Sequence, residues 1–140
     1  MLFRLRTGQT GIRARLHDLE ADIMDVVWSR GLTEFAVSDV LHVLERQREI
    51  AYTTVMTTLT RLHEKGLLSR SKDGKRYLYS PARTREEFLL ETAREVLDGL
   101  EEAHPQQAIA LLAEKVSEAG TDELDELERM IRRRRKELGK

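Results

Sequence analysis

The run Ala51-Tyr-Thr-Thr-Val-Met-Thr-Thr-Leu-Thr-Arg-Leu-His-Glu-Lys-Gly66 narrows the choice of fold more than any other stretch of the chain. Val55, Leu59 and Leu62 recur at i, i+4 and i+7, which makes one apolar stripe on a helix, and Gly66 stands where a helix C-cap belongs. Such a helix needs a core behind it. Its other face offers Tyr52, Thr53, Thr54, Thr57, Thr58 and Arg61. Threonine is a mediocre helix former, and glutamate or lysine is the ordinary choice for a solvated face. A DNA major groove rewards the exchange: hydroxyls bond base edges or phosphates, threonine methyls meet thymine methyls, and arginine grips guanine or a phosphate. The plain alternative is a helix whose threonines point at water, and the neighbouring segments decide between the two.

Upstream, Leu16, Leu19, Ile23, Val26 and Val27 mark a first amphipathic helix that stops at Gly31, with Asp18, Glu20 and Asp22 near its positive end. Trp28 near its C-terminus reads as a core or domain-boundary anchor. Thr33 to Ala36 is a connector or one short strand. A second helix runs from about Val37 to Gln47, with Val37, Val40, Leu41 and Leu44 inward. Two helices joined by Arg48 to Ala51, the later one threonine-rich, describe a helix-turn-helix. Leu67 to Ser71, then Lys72-Asp73-Gly74-Lys75, then Arg76 to Tyr79 read as strand, turn and strand, with Asp-Gly as the hairpin signal. This is a wing, and Lys72, Lys75 and Arg76 suit it to phosphates.

Pro81 closes the hairpin, and helical periodicity dominates beyond it. Phe88, Leu89, Ala93, Val96, Leu97 and Leu100 line one helix, and Ile109, Leu112 and Val116 a second that begins near Pro105. Leu124, Leu127, Ile131 and Leu138 line a third, with Thr121 as its N-cap. Three narrow-striped helices hide their own apolar faces poorly, and burial against a second copy in a symmetric dimer is the economical solution. The expected organisation is therefore mainly α with a small β-wing: a flexible basic tail over 1–15, a winged helix-turn-helix domain over 16–82, and a three-helix dimerisation domain over 83–140. Leu89, Val96, Leu97, Leu100, Ile109, Leu112, Val116, Leu124, Leu127 and Ile131 carry the dimer contact.

Charge supports a polyanion-facing front. The formal net charge is only -1, but residues 1–85 carry 15 Lys+Arg against 10 Asp+Glu, and residues 86–140 carry 9 against 15. Residues 61–85 alone hold 8 basic and 2 acidic groups. The run Arg132 to Lys136 also sits where cations belong, at a helix C-terminus, opposite Asp122, Glu123, Asp125 and Glu126 at the N-terminus. The 4 histidines, at 17, 42, 63 and 104, have no ligand spacing, and there is no cysteine, so neither a metal nor a cofactor is expected. No apolar run approaches the roughly 20 residues of a membrane span, and the basic start lacks a signal-peptide core, so the expectation is a cytoplasmic protein without a membrane partner.

The run Leu19-Glu-Ala-Asp-Ile-Met-Asp-Val-Val-Trp28, the threonine-rich helix, Lys65-Gly-Leu-Leu68 and Gly74-Lys-Arg-Tyr-Leu-Tyr-Ser-Pro81 together resemble the BlaI/MecI/CopY family of bacterial transcriptional repressors. The resemblance implies a homodimer that binds a palindromic operator, often with TACA/TGTA half-sites, and blocks transcription. By position it assigns Thr53, Thr54, Thr57, Thr58 and Arg61 to the recognition helix and Lys72, Lys75 and Arg76 to the wing. Two departures concern induction. Penicillinase-type members are cut at a C-terminal Asn-Phe bond, yet this chain has no asparagine and its last phenylalanine is Phe88; copper-responsive members use cysteine pairs, which are absent. Derepression then runs through another bond, another ligand, or a partner such as a sensor protease.

The reading is thus a dimeric sequence-specific repressor of double-stranded operator DNA. The competing reading is a winged-helix protein-interaction module in which DNA is irrelevant. An enzyme is not expected: there is no glycine-rich phosphate loop, no nucleophile elbow and no His/Asp/Glu cluster at catalytic spacing.

Overall fold

The computed structural model describes residues 12, 15–102 and 104–139. The basic tail expected over 1–15 lies outside these except for Ile12 and Arg15. The chain divides into two compact units, Met1–Arg94 and Glu95–Lys140.

The first unit is built from α1 (Asp18–Ser29), α2 (Val37–Glu45), α3 (Tyr52–Glu64), β1 (Leu68–Asp73), β2 (Arg76–Pro81) and the first part of α4 (Arg85–Gly99). Its core gathers the expected stripes: Leu16 just before α1 with Ile23 and Val27 from α1, Val37, Val40 and Leu44 from α2, and Val55, Leu59 and Leu62 from α3. Both α1 and α3 end in the same device. Gly31 (φ 64) and Gly66 (φ 84) take the left-handed conformation that favours glycine. The next amide then reaches back five residues, Leu32 N–H to Val27 O at 3.0 Å and Leu67 N–H to Leu62 O at 3.0 Å. The reversal after α3 buries Leu67 and Leu68 and starts the hairpin.

β1 and β2 pair antiparallel from Leu68 opposite Pro81 to Asp73 opposite Arg76, so Gly74 and Lys75 alone form the loop. Gly74 supplies a positive φ of 65 at its first position. The connector before α2 contributes one bridge: Phe35 N–H donates to Tyr79 O at 2.9 Å and Tyr79 N–H to Phe35 O at 2.7 Å. Phe35 and Tyr79, each 1% exposed, anchor the wing in the core.

The start of α4 belongs to this unit, which moves the division from the expected 82/83 to 94/95. Thr84 and Glu87 cap α4 reciprocally, side chain to backbone, at 3.0 and 3.3 Å. One turn on, Phe88 is 1% exposed, its ring 6.0 Å from Trp28, whose indole N–H donates to Arg83 O at 2.9 Å. Arg15, assigned to the tail by its sequence surroundings, is buried: its guanidinium lies 4.7 Å from the Phe88 centroid and donates to Thr92 Oγ1 at 3.0 Å.

The second unit comprises the end of α4, a 3-10 turn at Leu100–Glu102, α5 (Pro105–Ala119) and α6 (Thr121–Glu137). Gly120, not Thr121, occupies the N-cap of α6. Neither α5 nor α6 has a buried residue. Ile109, Leu111, Leu112, Met130 and Ile131 are 44–65% exposed, while Val116, Leu124 and Leu127 are half-buried. Arg129, Arg132, Arg133 and Arg134 each lie within 4 Å of Glu126, Glu128 or Glu137. The hydrogen bond from Arg129, then its charge, holds the Glu126 carboxyl below the usual carboxylate range.

Candidate nucleic-acid interface

The outward face of α3 is composed as the sequence suggested, with one exception. Tyr52, Thr53, Thr54, Thr57 and Arg61 are exposed, together with Met56. Thr58 is turned inward, 5% exposed, and its hydroxyl donates to Thr54 O at 2.8 Å. It sits one position before Leu59 and so lies at the edge of the buried stripe, where a hydroxyl must find a partner inside the protein. Its assignment to the DNA-facing set is corrected accordingly.

The N-terminus of α3 differs from those of the two helices before it. The first turns of α1 and α2 carry acids, and Glu20 and Asp39 accept hydrogen bonds from the backbone N–H of His17 and Ala36 at 2.9 and 2.7 Å. The α3 N-terminus has no side-chain cap and no acid in its first turn. Its intrahelical bonds begin with Thr54 N–H and Val55 N–H to Ala51 O, so among the described residues the Tyr52 and Thr53 amides stand without a partner at the positive end of the helix dipole, an arrangement that suits an anion.

Two ion pairs set the attitude of this helix. Arg48, in the turn before α3, contacts Asp22 at 2.9 Å, and Lys65, its C-cap, contacts Glu20 at 2.7 Å. Between α3 and the start of α1 lies a groove of about 350 Å³ lined by Thr53, Thr54, Thr57, Arg61, His17 and Glu20, among others. Hydroxyl donors and one guanidinium at successive turns of a helix can read base edges across several base pairs.

On the wing, Lys72 and Lys75 are exposed, and Arg76 is exposed but reaches Asp73 at 3.3 Å. The strand register brings in two residues that the sequence reading passed over. Arg70 and Tyr77 share a face with Lys72, and the Arg70 guanidinium lies 4.2 Å from the Tyr77 centroid. The two-residue alternation along β1 was the signal that could have found Arg70. Among the described residues no group of three or more His, Cys, Asp or Glu could hold a metal, and no helix is long and apolar enough to cross a membrane.

Comparison with known proteins places these features in a family context. The family model described as "Penicillinase repressor" matches residues 16–133. The transcriptional regulator BlaI of Mycobacterium tuberculosis H37Rv is 37% identical over 117 residues, covering 84% of this chain and 83% of that protein. The penicillinase repressor of Staphylococcus aureus is 25% identical over 108 residues, 77% of this chain and 83% of that one. Among solved structures, the monomeric form of Bacillus licheniformis BlaI in complex with the blaP half-operator matches with a TM-score of 0.43 and 26% identity, covering 53% of this chain and 88% of the other.

Proposed function

The chain belongs to the penicillinase repressor family and is a DNA-binding transcriptional repressor, and we propose that it works as a homodimer on a palindromic operator. Each subunit lays Thr53, Thr54, Thr57 and Arg61 in a major groove, with Tyr52 at the helix end, and sets Lys72, Lys75 and Arg76 of the wing against backbone. The observation that carries this reading is the composition of α3. It is anchored by two ion pairs and a buried stripe, yet its outward face bears no carboxylate before Glu64 and its N-terminus is uncapped. A face kept free of negative charge suits a polyanion.

The second unit supplies the pairing surface in this proposal. Val96, Leu97, Ile109, Leu112 and Ile131 are 42–65% exposed, and Leu100, Val116, Leu124 and Leu127 are only half-covered. Leu89, at 37% exposure on α4 in the first unit, belongs to the same proposed set. A second copy removes this apolar surface from water, with about 25 cal/mol gained per Å². We further take the protein to act in the cytoplasm without a cofactor and without catalysis, since its relatives are transcriptional regulators.

The test is a binding series against operator and unrelated duplex at several salt concentrations. Arg61→Ala weakens binding to the operator preferentially. Lys75→Ala weakens both duplexes alike and lowers the slope of log K against log salt by about 1. Wild-type protein that ignores duplex DNA even at low salt returns the weight to the protein-interaction module.

A further inference from the structure

On one face of the hairpin, Leu68, Arg70 and Lys72 of β1 alternate with Tyr79 and Tyr77 of β2, since Arg70 pairs with Tyr79 and Lys72 with Tyr77. The face changes character along its length. Leu68 and Tyr79 are buried at its base, Arg70 is half-buried, and Tyr77 and Lys72 are exposed toward the tip. The rings form a ladder out of the core: Phe35 to Tyr79 at 6.1 Å, then Tyr79 to Tyr77 at 6.5 Å. Arg70 ends it, its guanidinium 4.2 Å from the Tyr77 centroid, with Lys72 Nζ 5.9 Å from the same ring.

Several other arginines of this unit are committed elsewhere. Arg48, Arg76, Arg83 and Arg85 lie 2.8–3.3 Å from carboxylates. Arg70 has no ion pair or hydrogen bond among the described residues, so its five N–H donors are unspent while its guanidinium rests over the ring. A contact with a phosphate alone needs only a charge; a flat guanidinium laid over a ring also has the shape for a slot.

We propose that Arg70, positioned by Tyr77, is the wing's minor-groove contact, entering the narrow minor groove of A·T-rich duplex beside the half-site. The proposal rests on the DNA-binding reading above. A narrow A·T minor groove concentrates negative potential and draws arginine, whereas guanine's 2-amino group projects into the groove and widens the gap between the two kinds of flank. The stack on Tyr77 lowers the side-chain entropy lost on entry. Lys72, Lys75 and Arg76 remain backbone contacts.

Duplexes enriched by the wild-type chain from a random library supply the central sequence, and their flanks are then built as A·T, G·C or inosine·cytosine. Inosine lacks the 2-amino group, so it looks like A·T from the minor groove and like G·C from the major groove. Wild type binds the A·T and inosine flanks alike and about fivefold or more tighter than G·C. Arg70→Ala and Tyr77→Ala abolish that preference, Tyr77→Phe keeps it, and Lys75→Ala weakens all three duplexes by one factor. Equal wild-type affinity for the three flanks overturns the proposal, as does an Arg70→Ala loss that is the same on all of them, which marks a phosphate contact. A wild-type chain that enriches no duplex fails at the repressor reading instead. Thermal melts of the variants separate lost contact from lost fold; should Tyr77→Ala unfold, the Arg70→Ala and Tyr77→Phe arms decide alone.

Discussion

Lys65 Nζ, at the C-cap of α3, lies 2.7 Å from Glu20 Oε1 near the start of α1, and the Glu20 side chain is only 3% exposed against 25% for Lys65. The same carboxylate oxygen accepts the His17 backbone N–H at 2.9 Å. One buried acid therefore caps the first helix and fixes the far end of α3.

Removing one partner of such a pair strands the other. Lys65→Met leaves Glu20 buried without its cation and destabilises the first unit by about 1–3 kcal/mol, the partial exposure of Lys65 reducing the usual cost of breaking a buried pair. The double variant Glu20→Leu, Lys65→Met is expected to cost less than Lys65→Met alone. Urea unfolding of the three proteins checks both the sign and the coupling.

Two adjacent threonines separate the groove-facing surface from the core edge. Thr58 spends its hydroxyl on Thr54 O at 2.8 Å, whereas Thr57 is exposed. Thr57→Val is expected to weaken operator binding by roughly fivefold or more while leaving the melting temperature nearly unchanged. Thr58→Val is expected to do the reverse, with operator affinity kept and a stability change of about 1 kcal/mol. Titrations on one operator, paired with thermal melts, distinguish the two.

Phe88 links the start of α4 to the winged unit through Trp28 and Arg15. Phe88→Ala should destabilise that unit by about 3–5 kcal/mol. A fragment ending at residue 94 is expected to melt well above one ending at residue 82. Equal melting of the two fragments would show that the helix start contributes nothing to the core.

Much of this was legible because the first unit obeys periodicity. The stripes of α1, α2 and α3 each name their own core residues, and Gly31, Gly66 and Gly74 mark where the chain must turn with positive φ. The placements that escaped were long-range. Phe35 sits in a segment too short to show a period, and only the bridge to Tyr79 gives it a role. Arg15 reads as one more basic tail residue until Phe88 and Thr92, more than 70 positions away, come to cover it. Phe88 itself fits the periodicity of its helix, which cannot say which unit that face will join. Thr58 failed for a subtler reason: at the edge of a stripe, 100° per residue cannot decide whether a small side chain turns in or out.

The exposed apolar side chains of α5 and α6 give the pairing proposal a direct consequence. Leu112→Glu and Ile131→Glu, both at sites 44–46% exposed, should convert a dimer into a monomer by sedimentation equilibrium without lowering the melting temperature of a fragment ending at residue 94. Operator affinity of the full chain should then fall by at least about 100-fold, because two linked half-sites no longer bind together.

Selection of duplexes from a randomised library by the full-length protein, with recovered sequences aligned, addresses the repressor reading as a whole. A dimer presenting two copies of α3 should enrich a two-fold symmetric sequence whose half-sites lie about one helical turn apart, or a multiple of it, and Arg61→Ala should lose that enrichment. A single asymmetric motif would overturn the symmetric dimer, and no enriched motif at all would remove sequence reading by α3.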